Sequence, residues 1–231
     1  MNKPAVLAFD VFGTVVDWYG PVSAAVKRVC PQVDADAFAL AWREGYPQAM
    51  RRVMAGELGW TTVDQLHLMI LRDLLQRFKV DNLDEAQILD LNNVWHRLDP
   101  WPDSVEGLQR LKAKYMICTL SNGNIGLLAN MAKHGRLPWD CILSAEIFRK
   151  YKPDPAVYLG VGQIFGIPPS SVMMVAAHQE DLAGARKCGL QTAYIQRPAE
   201  FGPHRAKDVS DNGLNTLHAS AITALADQLD A

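Results

Sequence analysis

The stretch Phe9-Asp10-Val11-Phe12-Gly13-Thr14-Val15 places a carboxylate at the point where an apolar run breaks into a turn. The run before it, from Ala5 to Phe9, is short and continuous, which predicts a buried strand of a parallel sheet. Asp10 could cap the turn, as Asp often does, but a covalent nucleophile would also stand at a strand end. A phosphoryl-transfer site of this shape would need a second acid two residues later, where Phe12 stands.

Composition and charge indicate an ordinary soluble globular protein. The 231 residues are 49% hydrophobic and 21% charged, with a formal net charge of -2, which is typical of a globular chain. This charge gives no electrostatic reason to expect binding to nucleic acid or to an anionic membrane. The longest apolar stretches have the length of strands and fall short of the about 20 residues that a membrane-spanning helix needs.

The cysteines and the start of the chain favour a cytoplasmic location. Cys30, Cys118, Cys141 and Cys188 show no CxxC spacing, and three of them lie in apolar segments, as expected for reduced core residues of a cytosolic protein. Met1 to Pro4 leads directly into the predicted first strand, so we expect no signal peptide.

Alternating strand-like and helix-like segments in the second half predict an α/β fold. Four further strands are predicted at Met116–Leu120, Cys141–Leu143, Val172–Val175 and Thr192–Ile195. Helical spacing marks three segments between them: Val105–Lys114, Pro155–Phe165 and Asp181–Cys188, the last ending at Gly189. The predicted core is a Rossmann-like, doubly wound parallel sheet.

About a hundred residues separate the first two strands, which is far longer than a simple crossover connection. This intervening stretch has helical spacing, with a capping box at Thr62 and Gln65 and an expected cap at Asp84. We therefore predict an inserted helical cap domain and a core domain in two pieces, with the cap at 17–97 and the core at 1–16 and 98–231.

Polar side chains follow the predicted strands at the edge where open parallel sheets bind ligands. A carboxylate, hydroxyl and amide groups, an ammonium and a second acid would therefore converge from four loops. The residues are Asp10, Thr14, Ser121, Asn122, Lys152, His178 and Asp181.

Four motifs occur in order along the chain: Phe-Asp-x-Phe-Gly-Thr at 9–14, Ser121-Asn122-Gly123, Tyr151-Lys152-Pro153-Asp154 and Asp181. This order resembles that of the haloacid dehalogenase superfamily over nearly the whole chain, most closely the type II L-2-haloacid dehalogenases. Trp42-Arg43 matches the halide-side arginine motif of that family. The resemblance implies a homodimer that uses no metal or other cofactor. It also implies hydrolysis of short 2-halocarboxylic acids, from (S)-2-haloacid and water to (R)-2-hydroxy acid and halide.

The resemblance implies roles for the residues after the first two strands. Asp10 would attack the carbon that bears the leaving group and form an ester, with Thr14 orienting it and the cap closing over the site. Ser121 and Asn122 would hold the substrate carboxylate. The structural alternatives are an ordinary turn hydroxyl for Thr14 and a plain strand-to-helix turn for the other two residues.

Two residues later in the chain, Lys152 and Tyr158, also receive roles. Lys152 would pair with Asp10 and Asp181 and keep both ionised in a dry pocket, although a loop lysine is usually solvated. Tyr158 matches an active-site tyrosine of the family, with a packed core tyrosine as the alternative.

The cap contributes a cation and an apolar wall. Arg43 would stabilise the departing anion, with Arg51 and Arg52 as weaker candidates and a solvated helix face as the alternative. The apolar wall of the pocket is expected from four residues, for which plain cap–core packing is the alternative: Phe12, Trp18, Pro47 and Trp60.

The segment after the fourth strand departs from the family pattern Ser-x-Asn-x-x-Asp. Here Asp181 is kept, while Ala176 and His178 replace the Ser and the Asn. One hypothesis is that His178 positions the hydrolytic water or accepts its proton; the alternative is a loop histidine bonded to backbone. This change could also alter the halide pocket and the leaving atom.

Three other functions are compatible with the sequence. A phosphatase of the same superfamily would need an acid at Phe12 and paired acids that bind Mg²⁺. A hydrolase of L-azetidine-2-carboxylate would use the same attack on a strained ring, and Glu44 could then recognise an amine. A non-catalytic binding protein would leave Asp10 idle.

Overall fold

The fold is α/β, as predicted, with a six-stranded parallel sheet flanked by helices. The computed structural model describes residues 3–231, and the expectation about the chain start at Met1 and Asn2 lies outside them. The strands are β1 (Val6–Phe9), β2 (Val16–Asp17), β3 (Asp99–Pro100), β4 (Met116–Ser121), β5 (Cys141–Ser144), β6 (Val172–Ala176), β7 (Gln191–Ile195) and β8 (Leu217–Ala219).

The helices fill the long connection after β1 and the crossovers between the later strands. They are α1 (Tyr19–Val29), α2 (Ala35–Met54), α3 (Val63–Arg77), α4 (Glu85–Asn92), α5 (Ser104–Lys112), α6 (Ile125–Gly135), α7 (Ala145–Phe148), α8 (Pro155–Phe165), α9 (Gln179–Lys187) and α10 (Ile222–Gln228). Two short 3₁₀ helices lie at Asn93–Arg97 and Pro169–Ser171. The five predicted strands and the three predicted crossover helices are confirmed, with ends shifted by at most two residues.

β1 lies inside the sheet, whose order is β5-β4-β1-β6-β7-β8. Phe9 pairs with Thr119 of β4 and with Val175 of β6, so Asp10 is the first residue beyond the paired strand. The chain builds one side of the sheet with β4 and β5 and then returns to the other side with β6. Open α/β sheets bind ligands beside such a switch in strand order.

The side chains of β1 alternate between two buried clusters. Leu7 and Phe9 belong to one cluster, while Val6 and Ala8 belong to the other. Burying a Val, Leu or Phe side chain contributes about 1.5–3 kcal/mol. Burial on both faces therefore fixes the strand that carries Asp10.

The connection between β1 and β4 is helical, as predicted. Thr62 and Gln65 form the expected capping box, and Asp84 forms a second one with Gln87. The antiparallel pair of β2 and β3 lies where the chain leaves and rejoins the region of the sheet. The pair falls near the predicted domain boundaries, which stay a prediction.

Apart from the two 3₁₀ helices, six elements were not predicted: β2, β3, β8, α6, α7 and α10. The three strands have only two or three residues and α10 has seven, so hydrophobic periodicity gives no signal. Within residues 3–231, no helix combines the length and apolarity needed to cross a membrane. The four cysteines are free, two of them buried and two partly buried.

Candidate active site

Asp10 lies at the C-terminal end of β1, on a turn held by its neighbours. Its backbone N–H donates to the carbonyl of Val175 at 2.9 Å, and Thr14 Oγ1 donates to Asp10 Oδ2 at 2.9 Å. Gly13 has a φ of +76°, a left-handed conformation that glycine adopts at little cost. The turn presents a carboxylate that is only 7% exposed at the ligand-binding edge of the sheet.

Lys152 joins the two acids of the site. Its Nζ donates to Asp10 Oδ1 at 3.0 Å and to Asp181 Oδ2 at 2.6 Å. Tyr158 donates its hydroxyl to Asp181 Oδ1 at 2.7 Å. The predicted pairing of Lys152 with both carboxylates is therefore confirmed.

The two acids respond differently to this ammonium. Burial alone would raise the pKa of Asp10, but Lys152 and His178 outweigh burial and hold that pKa well below its ordinary value. For Asp181, burial prevails over Lys152 and, with the Asp10 charge, raises the pKa. Both carboxylates in turn raise the pKa of Lys152 against the effect of burial. The expectation that Lys152 keeps both acids ionised thus fits Asp10 better than Asp181.

The turn after β4 is tied to the loop that carries Lys152. Asn122 Oδ1 accepts the backbone N–H of Lys152 at 2.8 Å. Ser121 Oγ accepts the N–H of Gly123 at 3.2 Å, and Ser144 Oγ donates to the Gly123 carbonyl at 2.6 Å. These bonds give Ser121 and Asn122 a structural role, and both residues also line the cavity described below.

His178 contacts Asp10 from another direction. Its Nδ1 lies 3.1 Å from Asp10 Oδ2, and its Nε2 lies 2.8 Å from Glu200 Oε1. Glu200 is fully buried and also accepts hydrogen bonds from Lys207 Nζ and Trp18 Nε1. Because ionised carboxylates only accept hydrogen bonds, both ring nitrogens of His178 must donate.

The charge state of His178 follows from these partners. Burial lowers the pKa of His178, but Glu200 and Asp10 outweigh it and raise that pKa to about 9. Burial would raise the pKa of Glu200, yet His178 and Lys207 lower it to about 2. His178 is therefore an imidazolium at neutral pH. In this state both ring nitrogens carry protons, which favours a donor role for His178 over acceptance of a proton from water. The role of His178 in the reaction stays a prediction.

A cavity of about 630 Å³ opens over Asp10. Its wall contains most of the predicted site residues: Asp10, Phe12, Arg43, Pro47, Ser121, Asn122, Lys152, Tyr158, His178 and Asp181. The α2 helix adds Tyr46, Met50, Arg51 and Met54. The structure thus brings together residues of the core loops and of α2.

Three predicted residues lie behind this wall among the described residues. Thr14 is fully buried and reaches the site through its bond to Asp10. Trp18 is also fully buried, with its Nε1 3.4 Å from Glu200 Oε1. Trp60 stacks on Tyr151 with ring centroids 4.9 Å apart. The positions of the two tryptophans fit the packing alternative rather than a cavity wall.

Arg43 presents a cation to the cavity. Its Cζ lies 5.1 Å from the centroid of the Tyr46 ring, and its buried Nε has no hydrogen-bond partner among residues 3–231. Arg51 lines the same cavity, whereas Arg52 pairs with Glu57 at 3.1 Å on the surface. A buried N–H donor without a partner is suited to bind an anionic group by donating a hydrogen bond to it.

A protein cation occupies the space between the acids of the site. Lys152 Nζ bridges Asp10 and Asp181, and Phe12 stands in the cavity wall where a second motif acid would lie. The described part of the chain contains no group of three or more His, Cys, Asp or Glu side chains arranged to hold a metal ion.

Sequence reasoning missed Glu200, Lys207 and Tyr46. Glu200 follows β7 by five residues, so the rule that strand ends converge at one edge could have identified it had it been applied to the fifth predicted strand. Lys207 lies farther along an irregular segment, and nothing in the sequence pattern marks it. Tyr46 lies one helical turn after Trp42, and this spacing indicates a core residue and not a site residue.

Comparisons with known proteins identify the family of this chain. The family model of haloacid dehalogenase-like hydrolases matches residues 4–189. The (S)-2-haloacid dehalogenase 4A of Burkholderia cepacia is 31% identical over 94% of this chain and 96% of its own. Haloacetate dehalogenase H-2 of Moraxella sp. (strain B) is 26% identical over 85% of this chain and 88% of its own.

A solved structure is similar over the same extent. A defluorinating L-2-haloacid dehalogenase superposes with a TM-score of 0.94 at 45% identity, covering 100% of this chain and 96% of its own. The family match spans most of the chain, and the first of the two relatives above is similar over nearly its full length. This chain therefore belongs to the family of haloacid dehalogenase-like hydrolases.

Proposed function

We propose that this protein hydrolyses short 2-haloalkanoic acids, converting an (S)-2-haloacid and water into an (R)-2-hydroxy acid and halide. The observation that carries the proposal is Asp10, a nearly buried carboxylate with a lowered pKa in the wall of a cavity that Arg43 also lines. The names of related proteins, two of them 2-haloacid dehalogenases and one a haloacetate dehalogenase, support this substrate class.

In the first half of the reaction, an oxygen of Asp10 attacks the carbon that bears the halogen. The new C–O bond forms as the C–halogen bond breaks, and the halide leaves with the bonding electron pair. The lowered pKa of Asp10 keeps the nucleophile ionised. Arg43 stabilises the departing anion, which its unpartnered buried Nε supports.

In the second half, water attacks the carbonyl carbon of the Asp10 ester. Asp181 accepts the water proton, and its raised pKa makes it a better base than an ordinary aspartate. Lys152 and Tyr158 hold Asp181 in place through the two hydrogen bonds described above. The proton then returns to the alkoxide of the departing hydroxy acid.

A polar part and an apolar part of the cavity wall bind the substrate. Ser121 and Asn122 bind the carboxylate of the acid with side-chain and turn donors. Phe12, Pro47 and Met50 cover its apolar part and exclude water from the reacting carbon. Trp18 and Trp60 are not assigned to the wall.

Fluoride is included among the leaving groups. The relative with 45% identity is a defluorinating L-2-haloacid dehalogenase, and the cavity wall contains Arg43, whose buried Nε has no hydrogen-bond partner among residues 3–231. Cations placed where charge develops give strong assistance to a poor leaving group.

The rival functions lose support from the geometry. A phosphatase of this superfamily would need a second acid where Phe12 stands, and Phe12 supplies no general acid. An azetidine hydrolase gains nothing from Glu44, which is exposed and pairs with Arg205 at 3.1 Å.

Several finer properties belong to the same proposal. They are the division into a core domain and a cap domain, a homodimeric state, a cytoplasmic location, an aspartyl ester intermediate, independence of metals, and the absence of nucleic-acid or membrane partners. Light scattering of the purified protein tests the dimer: a mass of one chain contradicts it.

The function is tested by halide release from fluoroacetate, chloroacetate, bromoacetate and both enantiomers of 2-chloropropionate, with L-azetidine-2-carboxylate alongside. We expect release from the haloacids, preference for the (S) enantiomer and full activity in EDTA. No release from any haloacid contradicts the proposal, and a strict requirement for Mg²⁺ favours the phosphatase alternative.

A further inference from the structure

Glu200 is a buried carboxylate that the reaction above does not use. Its side chain is fully buried and lies in the segment between β7 and β8. It receives His178 Nε2 at 2.8 Å and Trp18 Nε1 at 3.4 Å on Oε1, and Lys207 Nζ on Oε2. A buried charge is retained only where such partners compensate for lost hydration.

The Arg197 contacts and the space at Gly13 bring the Glu200 carboxylate close to the turn that carries Asp10. Arg197 donates its Nε to the carbonyl of Thr14 at 2.8 Å and pairs through both terminal nitrogens with Asp103 at 2.9 Å. A Cβ at Gly13 would lie 2.3 Å from Glu200 Oε1. The absent side chain of Gly13 is therefore what allows Glu200 to approach.

The two oxygens of Asp10 have unequal partners. Oδ2 accepts hydrogen bonds from Thr14 Oγ1 and His178 Nδ1, while Oδ1 accepts only that of Lys152 Nζ among the described side chains. Oδ1 is thus the oxygen with a free lone pair for attack, and Oδ2 is the oxygen that keeps its donors.

We propose that Glu200 is a positioning residue that holds His178 doubly protonated against Asp10 Oδ2, so that this oxygen carries the negative charge that develops during ester hydrolysis. The inference rests on the proposed function, because it concerns the second half of that reaction. It assigns no contact between Glu200 and the substrate.

Ester formation and hydrolysis use the two oxygens of Asp10 differently. Asp10 Oδ1 forms the ester, and Oδ2 becomes its carbonyl oxygen. Water adds to the carbonyl carbon, its proton passes to Asp181, and the electron pair of the C=O bond moves to Oδ2, where Thr14 and His178 stabilise it. The pair returns as the bond to Oδ1 breaks, the hydroxy acid takes the proton from Asp181, and Asp10 loses the remaining proton to solvent.

Several charges face this pair of residues. His178 is set between Asp10 and Glu200, whose negative charges raise its pKa. Lys207 lies on the far oxygen of Glu200, and Lys152 lies on the far oxygen of Asp10. Removing Glu200 leaves His178 with Asp10 alone, which Lys152 already compensates, so His178 should lose its proton more readily.

The first test is NMR titration of His178, with its signal assigned by loss in His178→Asn. We expect the imidazole to titrate near 9 in the parent and about 1–3 units lower in Glu200→Gln. Glu57→Gln, the same change at an exposed residue, should leave the titration unchanged. An ordinary value in the parent, or no shift in Glu200→Gln, overturns the proposal. The parent titration decides even where Glu200→Gln does not fold.

The second test separates the two half-reactions by rapid quench with chloroacetate. In Glu200→Gln we expect halide release in the first turnover within about threefold of the parent, glycolate formation slowed about 10- to 100-fold, and the ester accumulating on the Asp10 peptide. Equal slowing of both products overturns the proposal. A parent that releases no halide refutes the proposed function instead, and the NMR result still decides the role of Glu200 toward His178.

Discussion

Two groups of residues contact Asp10 from opposite sides, and they compensate their buried charges differently. On the Lys152 flank, formed by Lys152, Asp181 and Tyr158, one cation serves two acids. On the Glu200 flank, formed by His178, Glu200 and Lys207, two cations enclose one acid. With Asp10 included, three carboxylates face three cationic groups, so the buried cluster is close to neutral when Asp181 is ionised.

This difference indicates which flank can take up and release a proton during the reaction. Burial leaves the pKa of Asp181 raised, so this acid can take up and return a proton. Glu200 and His178 instead hold their charges firmly, with pKa values of about 2 and about 9. We therefore expect the Lys152 flank to be the reactive side and the Glu200 flank to be a fixed electrostatic support.

The largest effect is expected from Asp10→Asn, which removes the proposed nucleophile that both flanks share. We expect turnover to fall on the order of 10⁴-fold or more, measured as halide release under saturating substrate. Circular dichroism checks that the fold persists. Residual activity within tenfold of the parent would show that Asp10 is not the nucleophile.

The next prediction compares the flanks directly through Lys152→Met and Lys207→Met. Lys152→Met leaves Asp10 beside Asp181 without a cation, and we expect turnover to fall about 10²- to 10³-fold. Lys207→Met should cost about tenfold or less, because His178 still compensates Glu200. Both variants break buried pairs and are expected to lose about 3–5 kcal/mol in the free energy of unfolding, measured by urea titration. Equal kinetic losses would erase the proposed distinction between the flanks.

A smaller effect concerns stability against pH. The pKa of His178 is raised from 6.5 to about 9, so its contribution is full below about pH 6.5, declines as pH rises and is absent above about 9. At about 1.4 kcal/mol per unit, the parent should lose on the order of 3 kcal/mol across this interval through this residue. His178→Asn should lose that part of the slope. Parallel stability curves for the two proteins would contradict the assignment.

The smallest effect is expected from Trp60→Phe. Trp60 stacks on Tyr151 behind the cavity wall, so kcat and KM for 2-chloropropionate should change less than about twofold, because the packing contact is largely kept. Phe12→Ala, which opens the wall itself, is the matched comparison and should raise KM. A larger change from Trp60→Phe would show that Trp60 does contact the substrate.

The predictability of the molecule differs between the same two flanks. The Lys152 flank follows from strand ends with strong apolar runs, which is why Asp10, Lys152 and Asp181 could be expected to meet. Glu200 and Lys207 lie in an irregular segment whose path depends on the Arg197 anchor and on space left by Gly13. Such tertiary contacts leave no periodic signal, and the charge state of His178 depends on them.

The central claim is that a carboxylate oxygen of Asp10 becomes bonded to the substrate carbon. A single turnover with enzyme in excess, run in H₂¹⁸O with (S)-2-chloropropionate, tests it most directly. The account predicts that the first hydroxy acid carries ordinary oxygen taken from the protein and that the solvent label enters the Asp10 carboxylate. Full solvent label in the new hydroxyl of that first product would contradict it.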